Sequence, residues 1–342
     1  MADPRFHRRA GPFTLGELAA RTKLFKLPEG AEGAVVTDVA PLETAGAGDL
    51  SFLDNRQYLK ALAATAAGFC VVAPEFADRV PQGSLALVTP HPYLAYATIA
   101  GLIYPEAAAV AGVHPSAVVD ASAVLGEGVQ VAAGAVICAR AEIGQGSVIG
   151  PSVTVGEGVI IGAGCRIDAN VSLECCILGD RVHAQSGARI GTAGFGFAPH
   201  PERHVPVPQI GRVIIGNDCQ IGANSCIARG SGHDTIVGDN VWIDNLVQIA
   251  HNVEIGSGSI LVAQVGIAGS ARLGRFVQAG GQSGIAGHIR LGDGVRIGAK
   301  SGVMNDQDAG ATILGQPAVP VREFWRQLAA LKRLSEKKGK GE

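Results

Sequence analysis

Three short turns carry residues suited to proton transfer and oxyanion binding. Ala250-His251-Asn252, Ala268-Gly269-Ser270 and Ala286-Gly287-His288 begin eighteen residues apart. A neutral imidazole near pH 7 readily takes a proton, which makes His251 a general-base candidate. Gly269 offers a backbone N–H with no side chain in front of it, a place where an oxyanion can be met. His288 is expected two layers from His251, roughly 10 Å away at about 4.8 Å per layer, as a supporting group. The plainer alternative is a histidine decorating a solvated turn. A second constellation lies upstream, in Leu50-Ser-Phe-Leu-Asp-Asn-Arg-Gln-Tyr58, where Phe52, Asn55 and Tyr58 stand three residues apart. On a helix they share one face, and two aromatics with an amide between them can sandwich a planar base and read its edge. Otherwise Phe52 and Tyr58 are core and Asn55 caps a turn.

A six-residue rhythm is what would stack the three turns. An aliphatic or Ala falls at Val237, Ile243, Ile249, Ile255, Leu261, Ile267, Leu273, Ala279, Ile285, Leu291, Ile297 and Val303. Neither the helix period of 3.6 nor the strand period of 2 gives this. It fits a parallel β-helix in which three hexapeptides close one coil and each aliphatic stacks on its copy eighteen residues on. The same rhythm runs from Val113 to Leu173, slips by one residue at Leu178, and continues through Ala184 and Ile190. It stops over the Gly- and Pro-rich residues 191–211, expected to leave the prism as an external loop. It resumes at Ile215, Ile221 and Ile227, and a four-residue insertion at Ser231 to Asp234 precedes the main run. About nine coils are expected, roughly 40 to 45 Å of prism. The turns Gly238-Asp239, Gly256-Ser257, Gly274-Arg275 and Gly292-Asp293 fall on another edge and read as ordinary solvated corners.

The flanks do not repeat. Residues 1–108 are expected to form a small α/β domain, opened by the capping box Thr14-Leu-Gly-Glu17 and holding buried strands near Gly68–Ala73 and Ser84–Thr89. Residues 109–316 are the coiled domain and 317–342 a helical extension. In that extension Val321, Phe324, Leu328 and Leu331 keep a seam-like 3-4-3 spacing, extended by Leu334. From Arg322 to Lys340 it carries seven Lys or Arg against two Glu, a solvated face or a dock for an acidic protein. The fold class is therefore mainly β, with a small α/β domain in front and a helix behind.

Composition narrows the function. The 342 residues are 47% hydrophobic but only 5% aromatic, suiting a narrow Val/Ile/Ala core, and the 48 glycines lack a collagen period, so they are turn residues. A net charge of −2 argues against a general nucleic-acid binder. Seven scattered cysteines without C-x-x-C suggest neither a zinc site nor a disulfide framework and point to a reducing cytoplasm. His200 and His204, four apart, lack a Cys neighbour, and no metal is expected. No secretory h-region follows the N-terminus, and the apolar stretch Tyr93 to Tyr104 is too short to span a bilayer.

Taken together, several stretches resemble the UDP-3-O-acylglucosamine N-acyltransferases of lipid A biosynthesis, within the hexapeptide-repeat acyltransferases of left-handed β-helix fold. They are Phe52-Leu-Asp-Asn-Arg-Gln-Tyr58, Pro92-Tyr-Leu-Ala-Tyr-Ala97, Gly194-Phe-Gly-Phe197, Pro208-Gln-Ile-Gly-Arg-Val-Ile-Ile-Gly216, Ile243-Asp-Asn245, Gln248-Ile-Ala-His-Asn-Val253, Gly287-His288 and Trp325-Arg326. The hexapeptides alone are common to many acyltransferases; their union with the N-terminal motif and the Ala-His-Asn turn is specific. The resemblance implies a left-handed coil, a homotrimer with sites between neighbouring prisms, and no cofactor. It implies a 3-hydroxyacyl thioester on acyl carrier protein as donor and UDP-3-O-(3-hydroxyacyl)glucosamine as acceptor. By position it makes His251 the base and His288 a supporting residue. It makes Phe52, Asn55 and Tyr58 a uracil clamp in a uridine-binding domain, with further substrate contacts at Asp244, Asn245 and Asn252. Ala193, Phe197, Ala228, His233 and His91 depart from the family pattern, and no sugar or phosphate contact is carried over. Rival readings are a UDP-N-acetylglucosamine O-acyltransferase, a zinc-dependent hydratase of the same coil, and a non-enzymatic scaffold.

Overall fold

Every sixth residue turns inward, and the rhythm closes into a three-faced prism. The computed structural model describes residues 2–315 and 317–338. Its repeating part is a left-handed parallel β-helix whose faces hold eleven, ten and nine short strands. Register is that of the repeat: Trp242 pairs with Ile260, Ile249 with Ile267 and Glu254 with Arg272. Ile249, Ile267 and Ile285 are all buried, and one continuous apolar core runs from Val129 to Val303. Each such side chain contributes about 1.5–3 kcal/mol of burial, so the stack, not any single contact, holds the coil.

Between strands the chain bends through a turn whose third residue has positive φ, as at Asn240, Leu246, Asn252 and Ser270. Beneath several corners a buried hydroxyl closes the hydrogen-bond account. Ser259 Oγ donates to the Gly256 carbonyl at 2.8 Å and accepts from the Val277 N–H at 3.1 Å. The polar turn can therefore sit on an apolar core with its backbone groups satisfied.

Three details differ from the expected coil. The strand totals make about ten coils rather than nine. The rhythm does not end at Val303: after residues 304–311, Thr312–Ile313 rejoins the eleven-strand face beside Arg296–Ile297. Met304 to Asp308 carry no inward aliphatic, which hides the final coil, yet Gln307 still bridges in parallel to Leu291 of the nine-strand face. The excursion 191–211 is a loop with structure of its own, a hairpin pairing Phe197 with Pro206 and Ala198 with Val205. The slip before Leu178 is absorbed at Cys175, with φ of 46°, and Ile177 still pairs with Ile160.

Contact density divides the chain into Met1–Ala108 and Ala109–Glu342. In the first unit four parallel strands, Asp38–Val39, Asp49–Leu53, Phe69–Val72 and Leu85–Val88, form one sheet. Leu50, Val71 and Leu87 share one apolar cluster with Ile99, while Leu53, Cys70 and Val72 share another with Leu62. The opening helix Leu15–Thr22 is capped reciprocally by Thr14 and Glu17. In the second unit the helix Val321–Lys338 exposes Phe324, Leu328, Leu331 and Leu334. Gln316 at the expected domain boundary, and residues 339–342 of the expected extension, lie outside the described residues.

Candidate active site

The chain reaches His251 as it leaves the ten-strand face, and two glycines make room for the ring. A Cβ on Gly269, one coil on, would lie 2.7 Å from His251 Cε1 and 2.8 Å from Nε2. Only a residue without a side chain lets the imidazole lie there. From the other side, a Cβ on Gly194 would lie 2.7 Å from His251 Cβ, so the excursion packs against the root of the side chain. Its aromatic residues extend beyond: Phe195 is exposed, and Phe197 meets Phe195 and His204 at ring distances of 5.1 and 4.8 Å.

Asn252 decides which nitrogen of the ring is free. Its Nδ2 donates to the His233 carbonyl at 2.8 Å, and its Oδ1 accepts from the Ser231 N–H at 3.2 Å and Oγ at 3.0 Å. That orients the amide, so the 2.9 Å contact from Oδ1 to His251 Nδ1 requires the proton on Nδ1. In the neutral ring Nε2 then carries the lone pair, the state a general base needs. The four-residue insertion is thus part of the site. Asp234 holds it to the Arg212 side chain at 2.7 Å, and this pairing keeps the Asp234 carboxyl below its ordinary pKa.

One expectation about this corner changes. His288 is not in the His251 column: its φ of 63° matches Asn252 and Ser270, and its N–H donates to the Gly269 carbonyl at 3.1 Å. Gly287 is the residue stacked on Gly269. The turn's third residue, not its second, is the histidine there, which shifts it by one step round the corner. Asn252 meanwhile bonds both the imidazole and the insertion. Among the described residues the Gly269 N–H has no protein partner.

Asp244 and Asn245 occupy a different corner from His251, after the eleven-strand face, and their oxygens are already engaged. Asp244 accepts from the Asn245 N–H at 2.7 Å and the Ala263 N–H at 3.1 Å, and Asn245 Oδ1 accepts from Ala223 N–H at 2.7 Å. The corner after the nine-strand face is likewise stapled, not merely solvated. Asp239 Oδ1 accepts from the Asn217 N–H at 2.7 Å, and Asp293 Oδ1 from the Arg275 N–H at 2.8 Å.

In the first unit Phe52, Asn55 and Tyr58 line one cavity of about 430 Å³ together with Ser51, Asp54 and Tyr93. They do so without sharing a helix. Phe52 ends on the strand Asp49–Leu53, and Tyr58 lies in a 3₁₀ turn that Asn55 caps through a 3.0 Å bond from the Gln57 N–H. The Asn55 carbonyl oxygen is used in that cap, and its Nδ2 has no partner among the described residues. Phe52 is set by Tyr96 and Tyr93, stacked at 4.3 and 5.3 Å. Tyr93 lining the cavity went unread because the helix Pro92–Ile103 is apolar all round and hides which face matters. The seven cysteines are free, and no group of three metal-ligating side chains occurs among the described residues.

Residues 34–102 match the family model described as UDP-3-O-(3-hydroxymyristoyl) glucosamine N-acyltransferase, LpxD. Bacterial transferase hexapeptide models match residues 122–157, 140–175 and 234–269, and the hexapeptide repeat of succinyl-transferase matches 212–250. The chain is 54% identical over 337 residues to a UDP-3-O-acylglucosamine N-acyltransferase of Granulibacter bethesdensis, covering 98% of each. It is 48% identical to one of a Methylobacterium species, over 98% of this chain and 97% of that. A solved UDP-N-acetylglucosamine acyltransferase from Campylobacter jejuni is 24% identical with a TM-score of 0.46, covering 65% of this chain and 83% of its own.

Proposed function

The chain belongs to the UDP-3-O-acylglucosamine N-acyltransferases, and on that premise we propose that His251 drives direct acyl transfer from acyl carrier protein to the acceptor's 2-amino group. The acceptor is UDP-3-O-(3-hydroxyacyl)glucosamine and the donor a 3-hydroxyacyl thioester. The amine nitrogen adds to the thioester carbon while His251 Nε2 takes a proton from it. The Gly269 N–H meets the oxyanion, the C–S bond breaks, and the same proton returns to the leaving thiolate. No nucleophilic side chain, metal or cofactor is needed. The observation that carries this reading is the 2.9 Å bond from His251 Nδ1 to Asn252, which leaves Nε2 as the basic nitrogen.

In the first unit the cavity is proposed to hold uracil, with Tyr58 and Phe52 supplying aromatic surface and the Asn55 Nδ2 donating to a carbonyl oxygen of the base. The basic helix Val321–Lys338 suits the acidic carrier protein, and its exposed apolar residues suit copies of itself in a homotrimer. No described helix is long and apolar enough to cross a membrane; the enzyme is proposed to act in the cytoplasm.

The deciding experiment is mass spectrometry of UDP-3-O-(3-hydroxyacyl)glucosamine after incubation with the protein and mixed 3-hydroxyacyl carrier proteins. An amide-linked product supports the reaction; an ester-linked product, or none from folded protein, overturns it. For the cavity, Phe52→Ala should raise the acceptor KM about tenfold, since an aromatic–base stack is worth roughly 1–3 kcal/mol, with little change in kcat. An unchanged KM would return Phe52 to the core.

A further inference from the structure

Arg229 sits where a residue would have to sit to govern the excursion beside His251. Its strand Cys226–Ala228 pairs with Gln248–Ile249, which puts Arg229 one coil below His251 on the same corner. From there it reaches both feet of the 191–211 hairpin. Nη1 donates to the Gly191 carbonyl at 2.8 Å, and Nε donates to the Gln209 carbonyl at 2.9 Å. The backbone N–H of Arg229 donates to the Thr192 carbonyl at 2.9 Å, and Glu174 of a neighbouring coil lies 3.3 Å from Nη1. The side chain is 19% exposed, so this is a largely enclosed guanidinium rather than a surface charge.

The clamp works against a cost. Gln209 Oε1 is buried with no hydrogen-bond partner, while its Nε2 donates to the Val207 carbonyl at 3.0 Å. That oxygen would lie 2.6 Å from a Cβ on Gly194, the same glycine that flanks His251. An unpaired buried oxygen favours opening, because outside it would bond to water. The two carbonyl bonds from one planar fork favour closure.

We propose that Arg229 is a positioning residue for the acyl transfer, holding both feet of the 191–211 hairpin so that Gly194 keeps the His251 side chain in its reactive placement. This rests on His251 being the base. Misplacing a catalytic group by about 1 Å can cost on the order of a hundredfold in rate, so loss of the clamp should show in kcat, not in acceptor KM.

The test compares Arg229→Met, Arg229→Lys and His251→Ala in the full-length enzyme, by steady-state kinetics and peptide-resolved hydrogen–deuterium exchange. Arg229→Met should lower kcat about 10- to 100-fold with acceptor KM within twofold. Exchange should rise in residues 191–211 while the coils over 118–160 keep wild-type protection. Arg229→Lys, which keeps the charge but not the fork, should fall between and covers the case in which the methionine variant does not fold. Wild-type kcat in either variant, or a rise in exchange through all the coils, overturns the proposal. Because exchange needs no turnover, failure of the clamp is distinguishable from failure of the base assignment, which would show as an active His251→Ala.

Discussion

Two corners of the same prism spend their polar side chains in opposite ways. After the nine-strand face, Asp239 and Asp293 each turn a carboxylate oxygen onto a backbone N–H of the coil below, and the glycine beneath makes room. A Cβ on Gly216 or Gly274 would lie 2.5 Å from the capping oxygen. After the ten-strand face a glycine makes room again, but what fills the space at Gly269 is an imidazole with its basic nitrogen unspent. One backbone device, a bare Cα against a side chain of an adjacent coil, thus ties a carboxylate to the scaffold at one corner and leaves an imidazole nitrogen free at the other. The difference lies in what the incoming side chain bonds to: its own scaffold, or an asparagine that leaves one nitrogen over.

The contrast is broken most severely by removing the nitrogen. His251→Ala should lower kcat about 10²- to 10⁴-fold, the range of a positioned general base, while thermal unfolding stays near wild type because the side chain is only partly buried. Near-native turnover would make this corner as inert as the other. A lesser loss is expected from Asn252→Ala, which keeps the imidazole but frees its tautomer and orientation. About 10- to 100-fold in kcat should go, against an unchanged acceptor KM. If kcat instead held, the insertion that Asn252 grips would be a structural patch alone.

The contrast also shows what a sequence can and cannot disclose. The inward aliphatics from Val119 onward and the stacking of Ala250, Ala268 and Ala286 were legible, because a period of six admits one way of burying them. Placement within a turn was not. His288 follows Gly287 and therefore falls on Asn252's step rather than His251's, a difference of one residue on a sharp corner. The staples at Asp239, Asp244 and Asn245 do not show in the sequence because each bonds to a backbone group in another coil, 19 to 22 residues away. Nor does a local motif show which way the Asn252 amide turns, towards the imidazole and the 231–234 insertion. In the first unit Phe52, Asn55 and Tyr58 do share a cavity, yet through a strand and a 3₁₀ turn that triplet spacing cannot distinguish from a helix.

At the stapled corner the expected effects are on stability alone. Asp239→Ala removes one side-chain cap to the Asn217 N–H and should cost about 0.5–1.5 kcal/mol in chemical denaturation, with kcat unchanged. A fall in kcat without loss of stability would mean that the two corners are coupled and the division drawn between them is too clean.

The smallest effect sharpens the comparison through pH. The Asp293 carboxyl is held below its ordinary pKa, first by the Arg275 N–H it accepts and then by the Arg275 guanidinium. A carboxylate with a lowered folded-state pKa stabilises the fold fully above its unfolded value, near 4, and ceases to do so as pH falls through the folded value. Asp293→Ala should therefore melt slightly below wild type at pH 7, and the gap should close as pH is lowered from about 4 towards 2. The side chain is exposed and salt-screened, so the gap at pH 7 should also narrow in high salt. A gap that persisted unchanged to low pH would show that the corner needs the shape of the residue rather than its charge. The staple would then be a matter of filling the space above Gly274, as the imidazole fills the space beside Gly269.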